Sequence, residues 1–72
     1  MSLNPTELDV IALLEDLPQH RLRRGQVGTL VARLGPGVFE VEFSDDSGKT
    51  YALVSLAEGQ FLNLIAEPAK AA

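Results

Sequence analysis

Seventy-two residues, six basic and ten acidic side chains, a net charge of −4 and no cysteine allow one domain with one modest core. Disulfide staples are excluded, and a single histidine without a thiol makes no standard zinc site. The acidic balance works against bulk attraction to nucleic acid or anionic membrane, and no apolar run nears the roughly 18 residues that span a bilayer.

The hydrophobic share of 46% belongs to a folded chain, and no basic start followed by an apolar segment suggests a signal peptide. These features lead us to expect a soluble, cytoplasmic protein with no membrane partner and no cofactor. Residues 1–7 read as a loose lead, residues 8–66 as a single domain, and residues 67–72, with Pro68 and several alanines, as a frayed tail.

The first element is ambiguous. Thr6 could cap a helix whose Val10, Leu13, Leu14 and Leu17 follow helical spacing. The run from Asp9 to Leu14 could equally be a short strand buried on both sides, stopped by Glu15, Asp16 and Pro18. A polar connection over residues 15–25 follows, with Leu17 and Leu22 as its apolar anchors. It is long for so small a domain, and long ordered loops often carry function.

The strongest pattern comes next. Arg24-Gly25-Gln26-Val27-Gly28-Thr29-Leu30-Val31-Ala32-Arg33 reads as a glycine turn entering a strand. Leu34-Gly35-Pro36-Gly37 reverses the chain into Val38-Phe39-Glu40-Val41-Glu42-Phe43. Alternation turns Phe39, Val41 and Phe43 toward a core and Val38, Glu40 and Glu42 away from it. In the preceding strand it groups Leu30 with Ala32, and Thr29 with Val31 and Arg33. Gly25 calls for a positive φ, and Gly28 for a bulge or a close backbone approach. A second turn at Ser44-Asp45-Asp46-Ser47-Gly48 leads to a strand over residues 49–55, then a helical turn over residues 56–60 and a last strand over residues 61–65.

Five short strands, one long early loop, two tight hairpins and a helical turn before the last strand describe an all-β chain arranged as a small SH3-like barrel. Three segments also resemble the small bacterial family catalogued as domain of unknown function 4926: Asp9-Val10-Ile11-Ala12-Leu13-Leu14-Glu15-Asp16-Leu17-Pro18, Leu22-Arg23-Arg24-Gly25-Gln26-Val27-Gly28-Thr29-Leu30-Val31 and Phe39-Glu40-Val41-Glu42-Phe43. That resemblance favours a strand over a helix for residues 9–14. The phrase Arg24-Gly25-Gln26-Val27-Gly28-Thr29 is similar, more weakly, to the KOW motif of SH3-like domains. The family resemblance implies no activity; an association with toxin-like neighbours would make such chains immunity or antitoxin proteins.

Candidate sites are few. His20, Arg21, Arg23 and Arg24 place four basic side chains in five positions, with Arg33 expected nearby across the sheet. Arginine forks suit phosphates or acidic partners; the plain alternative is a solvated loop paired with Glu15, Asp16 or the hairpin carboxylates. Gly25 and Gly28 lack the lysine and serine of a phosphate loop, and Asp45-Asp46 lacks the spacing of a calcium loop. No serine has an elbow motif, and the carboxylate pairs sit at surface positions, so no enzyme is expected.

Apolar residues outnumber the positions in one small core. Val38, Tyr51 and Leu62 are therefore expected at the surface as part of a partner patch. The leading expectation is a non-catalytic protein-binding module, either an immunity- or antitoxin-type partner or one that self-associates as a homo-oligomer. The alternative is a KOW-like RNA- or ribosome-binding accessory using the loop from His20 to Arg24.

Overall fold

The computed structural model describes residues 8–64. The expected lead at residues 1–7 and tail at residues 67–72 lie outside them. The elements are β1 (Val10–Leu13), a 3-10 turn (Pro18–His20), β2 (Val27–Gly35), β3 (Val38–Ser44), β4 (Thr50–Ala57), a second 3-10 turn (Glu58–Gln60) and β5 (Phe61–Asn63). All five strands are antiparallel in one sheet, in the order β4-β3-β2-β1-β5. The helical alternative for the first element is gone: Val10, Ile11 and Ala12 pair with Thr29, Gly28 and Val27.

Only one side of β1 is fully covered. Ile11 and Leu13 are buried, whereas Val10 is 42% and Leu14 46% exposed, against the expectation of a strand buried on both sides. Ala12 on the outer face is half-buried, so among the described residues that face of β1 is only partly covered. The β2–β3 hairpin keeps its inner row of Phe39, Val41 and Phe43. Its partner strand does not alternate cleanly. A bulge between Leu30 and Ala32 leaves Leu30 beside Val41 but puts Ala32 beside Glu40 and Arg33 beside Phe39. Directly paired residues share a face, so the extra residue separates Ala32 from the face of Leu30.

The sheet is strongly curled. β3 and β5 are three strands apart, which in a flat sheet means roughly 14 Å. Yet the Phe39 and Phe61 rings meet edge to face with centroids 5.8 Å apart. The Glu58 N–H bonds Gly37 O at 3.0 Å, one step beyond the Val38–Ala57 pair, which carries the β3–β4 ladder up to the second 3-10 turn. The sheet nevertheless stays open: β4 and β5 are its two ends, and no ladder joins them among the described residues. Full closure into a barrel, expected from the strand pattern, is therefore not completed by strand pairing.

Candidate interaction surface

The early loop is held by two buried leucines. Leu17 and Leu22 exchange main-chain hydrogen bonds of 2.8 and 3.1 Å and are 5% and 1% exposed. Between them the Pro18–His20 turn ends on Arg21, which adopts the left-handed conformation at φ 58°. Turning both leucines inward leaves His20, Arg21, Arg23 and Arg24 exposed.

The backbone here is fixed at several points. Arg24 N donates to Asp16 Oδ1 at 2.8 Å, Gly25 N to Leu13 O at 2.7 Å, and Arg23 N to the side-chain oxygen of Gln26. Gly25 supplies the positive φ (92°) that lets the chain turn into β2. Among the described residues, by contrast, the guanidinium groups of Arg21, Arg23 and Arg24 have no hydrogen-bond or ion-pair partner. Asp16 serves a main-chain N–H instead of an arginine side chain. Asp16, Pro18, Arg21, Leu22 and Arg23 line a shallow groove of about 350 Å³.

Gln26 is the residue that sequence reasoning missed. Its Oε1 accepts from Arg23 N while its Nε2 donates to the Tyr51 hydroxyl at 3.0 Å. One amide thus couples the basic loop to β4. Nothing in the spacing announces it, because Tyr51 lies 25 positions away. Tyr51 is 50% exposed and also rests against Phe43, with ring centroids 6.5 Å apart.

Arg33 does not join the loop cluster through any described contact. It sits toward the far end of β2, where its Nε donates to Gly35 O at 3.3 Å within its own hairpin. Val38, 37% exposed, begins β3 at that hairpin. Leu62, 54% exposed, is on the outer face opposite Ala12.

The outer face carries an apolar patch over β1, β5 and the start of β2, separated from Leu53 by Glu42 and Thr29. One cross-strand row is Val27, Ala12 and Leu62. The next runs from Leu53 through Glu42 and Thr29 to Val10, with Leu64 N bonded to Val10 O. Val10, Val27, Leu53, Leu62 and Leu64 are each between 41% and 56% exposed. The loop emerges from the ends of β1 and β2 next to the first row.

A family model described as "Domain of unknown function (DUF4926)" matches residues 7–63. The chain belongs to that family. No curated protein and no solved structure matches it.

In this DUF4926 chain the carboxylates of Asp45 and Glu42 are used locally. Asp45 Oδ1 accepts from Ser47 Oγ at 2.7 Å, Ser47 N at 2.9 Å and Lys49 N at 3.0 Å. The Ser47 hydroxyl, then the Lys49 N–H, hold its carboxyl below the ordinary 3.8. Glu42 accepts from the Thr50 hydroxyl rather than facing an arginine. Among the described residues no polar or charged side chain is fully buried, and no helix is long and apolar enough to cross a membrane.

Proposed function

We propose that the chain is a non-catalytic protein-binding module of the cytoplasm that receives an acidic segment of a partner on the loop over residues 15–25. One observation carries this reading: among the described residues three guanidinium groups have no partner while the backbone that bears them is fixed. A loop already ordered loses less entropy on binding, and arginine forks are well suited to carboxylates. The exposed strip of Val27 and Leu62 beside the loop supplies apolar area to the same partner. The absence of cysteine fits a reducing compartment. Exposed polar groups on loops and turns do not offer the water-poor cleft that acid–base catalysis uses. If the acidic partner is a toxin, the role is that of an immunity or antitoxin protein.

RNA binding is the second reading, on the same arginines. It is disfavoured because stacking platforms are scarce: Phe39, Phe43 and Phe61 are buried, and half-exposed Tyr51 is held by Gln26 and rests against Phe43. Fluorescence anisotropy with a polyglutamate peptide and with generic single-stranded RNA separates the two. We expect peptide binding that falls at least tenfold in an Arg21→Glu/Arg23→Glu/Arg24→Glu variant of unchanged melting temperature. Tight RNA binding with a steep salt dependence, and none to the peptide, would transfer the function to the second reading.

A further inference from the structure

The outer edge of β4 is the least protected feature of the fold. Sheets guard their edges with charges, prolines, bulges or very short strands. β5, at the other end of the sheet, is three residues long. β4 has eight residues, Thr-Tyr-Ala-Leu-Val-Ser-Leu-Ala, with no charge, proline or glycine among them. A register shift beside Phe43 and Ser44 leaves Tyr51 outside the pairing, so the regular edge runs over residues 52–57. Outside the ladder with β3, no main-chain hydrogen bond involves residues 50–56 among those described, and only Ala57 N is taken, by Gln60.

We propose that this edge pairs with the same edge of a second copy of the chain, antiparallel about a two-fold axis, to join two sheets into one of ten strands. The inference is separate from partner capture by the arginine loop. Identical antiparallel strands are self-complementary, so the contact closes as a dimer instead of growing into a fibre. Directly paired residues must share a face. Ala52, Val54 and Leu56 face inward opposite Phe43, Val41 and Phe39, while Leu53 and Ser55 face outward. An axis at Val54 satisfies this, setting Ala52 against Leu56 of the second copy and Leu53 against its Ser55. The two Leu53 side chains, each 56% exposed in the single chain, then meet diagonally across the axis.

Charge complementarity favours a second copy as the occupant. Lys49 lies just before β4 and Glu58 just after it, both exposed. Within one chain they stand at opposite ends of the strand, roughly 30 Å apart at strand rise. Lys49 lies beyond the Tyr51 bulge and Glu58 starts the 3-10 turn, so the antiparallel pairing brings Lys49 to the end of the second copy's strand that carries Glu58, and does so twice. A chain of net charge −4 that in bulk repels its own kind thus gains two opposite-charge contacts at this edge.

Sedimentation equilibrium over a concentration series tests this. The parent is expected to reach twice its 7.7 kDa mass as concentration rises. Lys49→Glu should weaken the dimer about tenfold, since each substitution acts at both symmetric pairs, and Lys49→Glu/Glu58→Lys should restore it. Leu53→Lys should leave a folded monomer by circular dichroism. A parent that stays at monomer mass up to about 1 mM, the concentration at which an association of about 4 kcal/mol is half complete, overturns the proposal. So does a dimer indifferent to all three variants.

Discussion

Gly28 occupies a core-facing position where any side chain would collide. A Cβ built there lies 2.8 Å from Val41 Cγ1, 2.9 Å from the Glu42 carbonyl oxygen and 2.9 Å from Phe43 Cε1. The methyl and the ring could shift, but the carbonyl belongs to the neighbouring strand and is held by the ladder. Glycine here serves close packing, and no positive φ is involved. Gly28→Val is therefore expected to lower unfolding free energy by about 3 kcal/mol, read from urea denaturation. A variant as stable as the parent would show that Phe43 has another place to go. Gly25 is a different case. A Cβ there meets nothing within 4 Å, and it is the left-handed backbone that calls for glycine.

At the scale of elements, the β3–β4 connection is organised by one carboxylate. Asp45 Oδ1 gathers the Ser47 hydroxyl and N–H and the Lys49 N–H, and the main-chain bonds Asp45 N to Lys49 O and Gly48 N to Asp45 O close the turn. These donors favour the ionised form, so the folded-state pKa lies below that of the unfolded chain. Stability from Asp45 is therefore present above about pH 4 and is lost as pH falls through the lowered value. Asp45→Ala should melt below the parent at pH 7, and the two melting temperatures should converge in strong acid. A gap that persists at pH 2 would mean the turn depends on something other than that charge. The early loop is organised differently, by Leu17 and Leu22 reaching the core, which is why it can hold arginines in place without using their side chains.

Across the whole molecule, the curl of the sheet is maintained by contacts between its distant parts. Phe61 on the three-residue β5 is the key member, meeting Phe39 edge to face at 5.8 Å and being only 5% exposed. Gln60 assists by accepting from Ala57 N and donating to Glu15 Oε2, which ties the second 3-10 turn to the start of the loop. Phe61→Ala removes the ring that brings β5 over β3. Its expected cost of about 3–5 kcal/mol matches the entire stability of a domain this small. The variant should thus give an unfolded circular dichroism spectrum at 25 °C; a cooperative, near-parental melt would show that the curl is held elsewhere.

The local features were legible in the chain itself. The inward row Phe39, Val41 and Phe43, the turns around Gly37 and Gly48 and the positive φ at Gly25 follow from period-two alternation and from glycine's conformational freedom, which act over a few residues. What sequence could not settle depended on residues far apart in the chain. Val10–Leu13 is a strand because Gly28 and Asn63 stand on either side of Ile11, partners that its helix-like spacing cannot reveal. The bulge at Val31, the tie from Gln26 to Tyr51, the half-exposed outer side of β1 and the arginines without a partner among the described residues likewise arise only when strands meet. Tertiary pairing decides which face of each strand is covered, and therefore which of the many apolar and charged residues remain for a partner.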